Sequence, residues 1–318
     1  MTSERLGERR SERRKVEATL EQGPDGVATR RRVRMFARSA RQPLGAAGIA
    51  AVVMLVVVAL VAFAVPLLPD YAPLKQNLSV RLAPPGVSWS HVLGTDELGR
   101  DILSRLSMAM RTSLEIVVAA LALNIVVGVF LGMLAGLLGG IVETLIMGVA
   151  DLQLSMPLVI LVVTVVSIVG STATSLAVVI GFSYWVGYGR VSRVIALSLR
   201  EREFVLSATT EGAGTFWILR KHVLPQILPQ IWIIGSFDLG ALIILEASLS
   251  YLGLGIQPPL ASLGGMIFDG QQYLAQDSWL CIIPGIMIFF VVGGVQLLSS
   301  HFTSEAGQGR SLTLQTGV

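Results

Sequence analysis

Residues Leu199–Pro225 read LREREFVLSATTEGAGTFWILRKHVLP, a charged stretch set between two long apolar runs. Glu201 and Glu203 stand where a new helix would begin, which suits the positive end of its dipole. Phe204 and Ser207-Ala208 give that helix one small-sided face, and Gly212 and Gly214 end it. His222-Val223-Leu224-Pro225 then opens the next apolar run, with proline tolerated in a first helical turn. Small residues followed by a glycine stop make a compact knob that can enter a groove on another protein. A merely solvated loop would not need Phe204 and Trp217 beside its charges. The stretch therefore reads as a docking site held between two membrane spans.

The rest of the chain supports that setting. Of its 318 residues 53% are hydrophobic and 14% charged, with a mean hydropathy of +0.70, whereas about a quarter of a soluble domain is charged. A helix needs about 20 apolar residues to cross ~30 Å of hydrocarbon, and backbone groups in lipid must be bonded within the chain, so helices do the spanning. Six spans are predicted: about Leu44–Leu68, Ser113–Leu138, Thr144–Val169, Thr174–Val194, Ile227–Leu254 and Trp279–Ser300. The fold class is all-α integral membrane. The expected organisation is a disordered basic tail over 1–35, a first transmembrane helix over 36–69, an outer segment with an amphipathic helix over 70–112, a five-helix core over 113–300 and a tail over 301–318.

Lysine and arginine concentrate on the cytoplasmic side of membrane proteins. Residues 1–43 hold twelve of them, and the 199–226 loop adds Arg200, Arg202, Arg220 and Lys221. The connection from Gly255 to Ser278 holds none. Both termini and the 199–226 loop are expected inside. The 70–112 segment, with five basic residues partly offset by Asp70, Asp96, Glu97 and Asp101, is expected outside. The Arg/Glu-rich start reads as a topology signal and a solvated tail. The first span is too long, and too far from the start, for a cleavable signal.

Several kinds of chemistry find no support. No GxxxxGK[ST] phosphate loop and no HExxH occurs, and His91, His222 and His301 lie far apart. Cys281 is alone, so neither a disulfide framework nor a cysteine metal cluster is available. Gly181-Phe182-Ser183-Tyr184 faintly resembles an intramembrane serine nucleophile, with His301 a conceivable base, but small residues in membrane helices usually serve packing. No catalytic residue is assigned, and neither metal nor nucleic acid is expected as a ligand.

Gly128, Gly132 and Gly136, four apart, line one helix face and let another helix approach closely; the approaching helix could belong to this chain or to a partner. His91–Leu106 reads as a turn feeding a helix, with Thr95 or Asp96 as cap and Leu98, Ile102 and Leu106 on one face. That helix could lie along the membrane surface, face an external partner through Thr95, Asp96, Gly99, Arg100 and Asp101, or simply cover the bundle. Asp238 and Glu246 fall within a span, where acids are functional suspects; eight residues apart, roughly two turns, they face similar directions.

These residues together resemble a known family. The loop is similar to the EAA loop of ABC importer permeases, with Leu206-Ser207-Ala208 at the EAA positions, Gly212 as the glycine and His222-Val223-Leu224-Pro225 at the end. Leu206 replaces the usual glutamate and His222 the usual isoleucine, the latter being the normal form in the peptide and nickel branch. Leu93–Asp101 looks like that branch's LGTDxxGRD signature, and Glu246–Pro259 closely resembles its EASLSFLGLGxQPP stretch. Trp279-Leu280 followed by Pro284-Gly285 matches the start of its last span. The resemblance covers about Met35 to Ser300 and is to the C-type permease subunit of dipeptide, oligopeptide or nickel ABC importers.

That resemblance implies a type I importer permease fold in a bacterial inner membrane and no cofactor in this chain, ATP and Mg being bound by partner subunits. It implies as partners a homologous permease, two ABC ATPases and an extracytoplasmic solute-binding protein, within the lipid bilayer. It assigns ATPase coupling to Glu201, Arg202, Glu203, Phe204, Ser207, Ala208, Gly212, Leu224 and Pro225. With Leu206 at the glutamate position, the polar contacts of docking fall to Glu201, Arg202 or Glu203. The expected substrate is a di- or oligopeptide, with nickel or another small solute as the alternative. A secondary transporter, the reading from another class, would need internal repeats, and none is visible. Glu246 is expected to pair structurally, contact with a cationic substrate terminus being the competing role.

Overall fold

A computed structural model describes residues 45–315 of the chain, with side chains as far as Ser300. The tail expected over 1–35 lies outside these residues, as do the side chains of 301–318. Contacts gather Ala47–Thr303 into one compact unit, and every regular element described is helical.

The first helix, α1 (Ala46–Ala59), carries no charge and continues through a π-helical turn, Leu60–Ala64, into a 3-10 turn, Val65–Leu67. Pro66 lies in that last turn, and the chain is extended at Leu68. The Arg111 guanidinium donates to the Ala62 carbonyl and lies over the Phe63 ring at 5.7 Å. A side chain thus reaches the π-helical turn, where the regular backbone ladder is disturbed.

Helix α2 (Ile102–Leu138) is the axis of the fold. Asp101 caps it by accepting from the Ser104 N–H at 2.8 Å. The helix begins there and not at Thr95 or Asp96, and Leu98 lies outside it. The separate amphipathic surface helix expected over 70–112 is therefore the first turns of the long span itself. Gly128, Gly132 and Gly136 all face α6 (Trp185–Arg200). A Cβ at Gly132 would sit 2.8 Å from the Ser192 Cβ, and one at Gly136 2.7 Å from the Ala196 Cβ. The glycine seam is therefore intramolecular, closed by small residues on both helices.

Helices α3 (Gly140–Leu154) and α4 (Leu158–Val169) are bent by 92° at Ser155–Pro157, where proline cannot continue the ladder. The fourth expected span is likewise divided. It forms α5 (Ala173–Gly181), capped by Thr172 and Ser175, and then α6. Two amides satisfy the backbone at this break. Asn124 on α2 accepts from the Tyr184 N–H at 2.9 Å, and Gln153 on α3 donates to the Ser183 carbonyl at 2.8 Å while accepting from the Trp185 indole at 2.7 Å. Irregular backbone at membrane depth persists only when its groups are paired this way.

After α6 come α7 (Glu203–Thr210), α8 (Thr215–Ile218), α9 (Leu224–Leu249), α10 (Leu263–Gly270) and α11 (Trp279–Gln315). A π-helical turn, Leu219–Val223, joins α8 to α9, and a second, Ser250–Leu254, extends α9. Pro225, in the first turn of α9, has no N–H to donate, and the wider turn before it takes up the irregularity. By length and composition four of the described helices can cross a membrane: Ala46–Leu67, Ile102–Leu138, Thr215–Leu254 and Trp279–Ser300. The bent α3–α4 pair is a fifth candidate.

Candidate functional site

The 199–226 loop folds as a tied knob. Arg202 precedes α7, Glu203 opens it, and Gly212 at φ +86° turns the chain away. Only glycine takes that conformation without strain. Two faces result. Val205 and Ala208 are buried in a cluster with Ala196, Leu199, Ile218, Leu219 and Val223. Glu201, Arg202, Glu203, Phe204, Leu206, Ser207 and Gly212 are exposed.

Ala208, expected on the coupling face, is thus an anchor for the knob. Leu224 is half-buried behind the loop, and Pro225 is exposed. Across the knob, His222 stands between two aromatics, with ring centroids 5.6 Å from Phe204 and 5.1 Å from Trp217. The Lys221 ammonium lies 4.6 Å over the Trp217 ring. Such ring and cation contacts are each worth about 0.5–1.5 kcal/mol, enough together to hold a short helix in one orientation.

The root of the loop is charged and paired. Arg193 on α6 holds Glu143 on α3, with its Nε at 2.6 Å, and Arg190 holds Asp151 at 2.6 Å. Both pairs tie the α6 rod, which leads into the knob, to its neighbour.

A second cluster occupies the segment expected to face an external partner. Asp96 is 4% exposed. Its Oδ1 accepts from the Leu98 and Arg100 N–H groups at 2.9 Å, and its Oδ2 accepts from the Arg100 Nε at 2.7 Å and from Arg105. Arg100 also reaches Glu97 at 2.9 Å, and Arg105 reaches Asp269 on α10 at 3.3 Å. Burial alone would raise the Asp96 carboxyl, but the Arg100 N–H and the Arg105 and Arg100 charges outweigh it and hold it below the usual carboxylate range. Glu97 goes the other way, raised by burial and by the neighbouring Asp96 charge.

Thr95 is fully buried, donating to the Val80 carbonyl and accepting from the Ala83 N–H. Gly94 and Gly99 have positive φ, with the Ala83 and Asn77 carbonyls packed where a Cβ would be. Thr95, Asp96, Gly99 and Arg100 therefore face inward, and Asp101 is occupied as the α2 cap. The expectation that these five residues present a surface to a partner is corrected: they lock the 77–101 segment onto α2 and α10. Buried ionic groups need partners, and Asp96 and Arg100 find theirs within this cluster.

The two acids in α9 separate. Glu246 is fully buried; its Oε1 accepts from the Ser250 hydroxyl at 2.8 Å, which in turn accepts from Ser262 at 2.9 Å. Ser113 and Ser262 also approach the carboxyl. Ser262 caps α10, and Gly264 brings α10 against the backbone at Ala247. Hydroxyls, and no cation of the described residues, surround Glu246. Asp238 is half-buried beside the Tyr188 hydroxyl of α6. Ser183, weighed above as a nucleophile, is buried and donates to the Val179 carbonyl at 2.6 Å. The Asn124 and Gln153 amides at the α5–α6 break were missed in the sequence. The available signal was an isolated polar residue in an apolar run.

Residues 128–302 match the family described as binding-protein-dependent transport system inner membrane component. The chain is 36% identical over 248 residues to the nickel transport system permease protein NikC of Escherichia coli (strain K12), covering 78% of this chain and 89% of the relative. It is 34% identical over 255 residues to a putative peptide permease protein of Brucella suis biovar 1, with 78% and 83% covered. Identity to the dipeptide transport system permease protein DppC of Alkalihalophilus pseudofirmus is 31% over 239 residues, with 75% and 78% covered.

Proposed function

Because this chain belongs to the family of binding-protein-dependent transport system inner membrane components, we propose that it is the C-type permease of an ATP-driven importer for di- or oligopeptides. It pairs with a homologous permease to enclose the route, receives solute from an extracytoplasmic binding protein, and couples to two cytosolic ABC ATPases through the 199–226 loop. Six spans in a bacterial inner membrane, with both termini cytoplasmic, complete the reading as a type I importer fold. The chain itself is a non-catalytic component, hydrolysis being the work of the ATPases.

The observation that carries the coupling role is the two-sided knob. One face, Val205 and Ala208, is packed into the bundle, and the other, Phe204, Leu206 and Ser207 with the charges of Glu201–Glu203, is free. A lever needs both: rigid attachment to α6 and α9, and an exposed surface on which ATPase closure can pull. The second reading within the family is nickel import, favoured by the relative named for nickel transport.

The test is reconstitution of the complete complex in proteoliposomes. Uptake should require ATP and the binding protein, and mass spectrometry of what that protein carries should show short peptides. Uptake by this chain alone, driven by an ion gradient, would overturn the importer reading in favour of a secondary transporter. A binding protein loaded with nickel would move the substrate assignment to the second reading.

A further inference from the structure

We propose that Asp238, with the Tyr188 hydroxyl beside it, is a recognition position for the positively charged group of the solute on the translocation route. The proposal rests on the importer reading above and goes beyond it by naming a residue pair and a ligand chemistry.

The argument starts from position. Asp238 lies well inside the span Thr215–Leu254, far from either end, and is neither fully buried nor paired with any cation of the described residues. A carboxylate facing hydrocarbon at such depth costs about 2.5–3.5 kcal/mol or more. A half-exposed acid is stable there only if its open side meets water or a cation. In the paired-permease arrangement proposed above, the open side of Asp238 gives the face of α9 that bears it a polar character suited to the route rather than to lipid.

The neighbours support this. Tyr188 is a fully buried side chain whose hydroxyl lies beside the Asp238 carboxyl without the geometry of a full hydrogen bond. The same hydroxyl would be 3.7 Å from a Cβ at Gly235, one turn earlier on α9, so it is aimed at this face. A buried hydroxyl without a bonding partner is costly, and a ligand held by Asp238 could complete it. Behind the site, Gln296 of α11 donates to the Phe237 carbonyl at 3.2 Å and fixes the α9 backbone.

Glu246 provides the contrast. It lies on the same helix, but it is fully buried, with its Oε1 accepting from the Ser250 hydroxyl and no open side. Asp238 keeps one side open. A carboxylate with a hydroxyl beside it suits a protonated amine, as at a peptide N-terminus, or a divalent cation; the shared chemistry is positive charge.

The test uses the full complex in proteoliposomes with two probes, radiolabelled nickel(II) and a radiolabelled dialanine, the N-acetylated dipeptide serving as the control that lacks the ammonium charge. Asp238→Asn should lower uptake of the cationic probe that the unsubstituted complex carries by about tenfold or more, the worth of a charge-assisted contact. Asp238→Glu should restore most of it. Loss of dialanine uptake identifies the amine as ligand, and loss of nickel uptake identifies the metal. Unsubstituted complex that transports either probe, with Asp238→Asn equal to it, would overturn the proposal. Absence of uptake of both probes by the unsubstituted complex would count against the importer reading instead. In that case a second measurement still decides: Asp238→Cys in a Cys281→Ser background should react with a membrane-impermeant cationic thiol reagent. A thiol inert to that reagent and to its anionic counterpart would show no polar route at this position.

Discussion

Arg105 on α2 reaches Asp269 on α10 at 3.3 Å while holding Asp96 with the same guanidinium. One side chain thus joins three stretches of chain, and the outer segment, the long span and the short helix before α11 are fastened at a single point.

Removing either member of the Asp96–Arg105 pair takes away one buried charge-assisted contact, leaving Arg105 with Asp269 at 3.3 Å or Asp96 with Arg100 at 2.7 Å. Asp96→Asn or Arg105→Ala should destabilise the protein by about 1.5–3 kcal/mol, read as a lowered midpoint of thermal unfolding in detergent. A loss under about 1 kcal/mol for both would mean that the network carries little. The pH dependence follows in sign. The folded-state carboxyl of Asp96 lies below its ordinary value, so its stabilisation is complete above about pH 4 and is lost as pH falls through the depressed value. Glu97, raised by burial and by Asp96, takes up a proton first, which relieves its own cost and opposes that loss. Amide exchange across 94–105 should stay slow down to about pH 4 and accelerate below it.

Two glycines of the same segment should respond differently to alanine. Gly99, at φ +67°, has the Asn77 carbonyl where a Cβ would go, while Gly86, at φ +83°, has nothing within 4 Å. Gly86→Ala should cost about 1 kcal/mol from backbone conformation alone. Gly99→Ala should cost about 3 kcal/mol or more, because strain and collision add. Limited proteolysis between 77 and 101 would show the difference; equal cleavage of the two variants would contradict it.

Glu246 holds α9 to the cap of α10 through serine hydroxyls. Glu246→Gln keeps an acceptor for Ser250 and should stay within about 1 kcal/mol of the parent. Glu246→Leu strands the buried hydroxyls and should cost about 1–3 kcal/mol, seen as a lower unfolding temperature of the purified complex. Equal stability of the two variants would remove the serine network from the account.

Gly212 is exposed and has open space around a Cβ, and aspartate is among the residues that best tolerate positive φ. Gly212→Asp should therefore insert and fold with no more than local strain at φ +86°, yet lose ATP-dependent uptake by placing a charge on the docking face. Normal uptake by this variant in vesicles would remove the loop from the coupling path. Trp217→Ala, which loosens the contacts around His222 and Lys221, should lower uptake only in part.

Much of this architecture was legible in advance where the signal is local. The Gly128/Gly132/Gly136 spacing announced a close helix contact, because missing side chains at one helical repeat have no other common use. Gly212 announced a stop, and the apolar runs announced the four long helices that can cross a membrane, while the third run is bent and the fourth divided. The partner of the glycine seam was not legible. Gly189, Ser192 and Ala196 lie about 60 residues away, and only the fold brings them opposite. The division of the fourth run at Phe182–Tyr184 was also hidden. Nothing local breaks a helix there; Asn124 and Gln153, from two other helices, make the break affordable.

By itself the sequence determined that the protein is a helical membrane component with several long apolar helices, and which family it belongs to. Hydropathy and motif spacing are properties of the chain read in order. Only the tertiary structure decided which way the polar side chains turn. It turned Asp96, Arg100 and Thr95 from an expected outer surface into a buried lock. It turned Ala208 into an anchor, closed Glu246 among serines and left Asp238 open. Burial depends on what other segments bring to a residue, and a carboxylate's role follows from whether a partner from elsewhere in the chain reaches it.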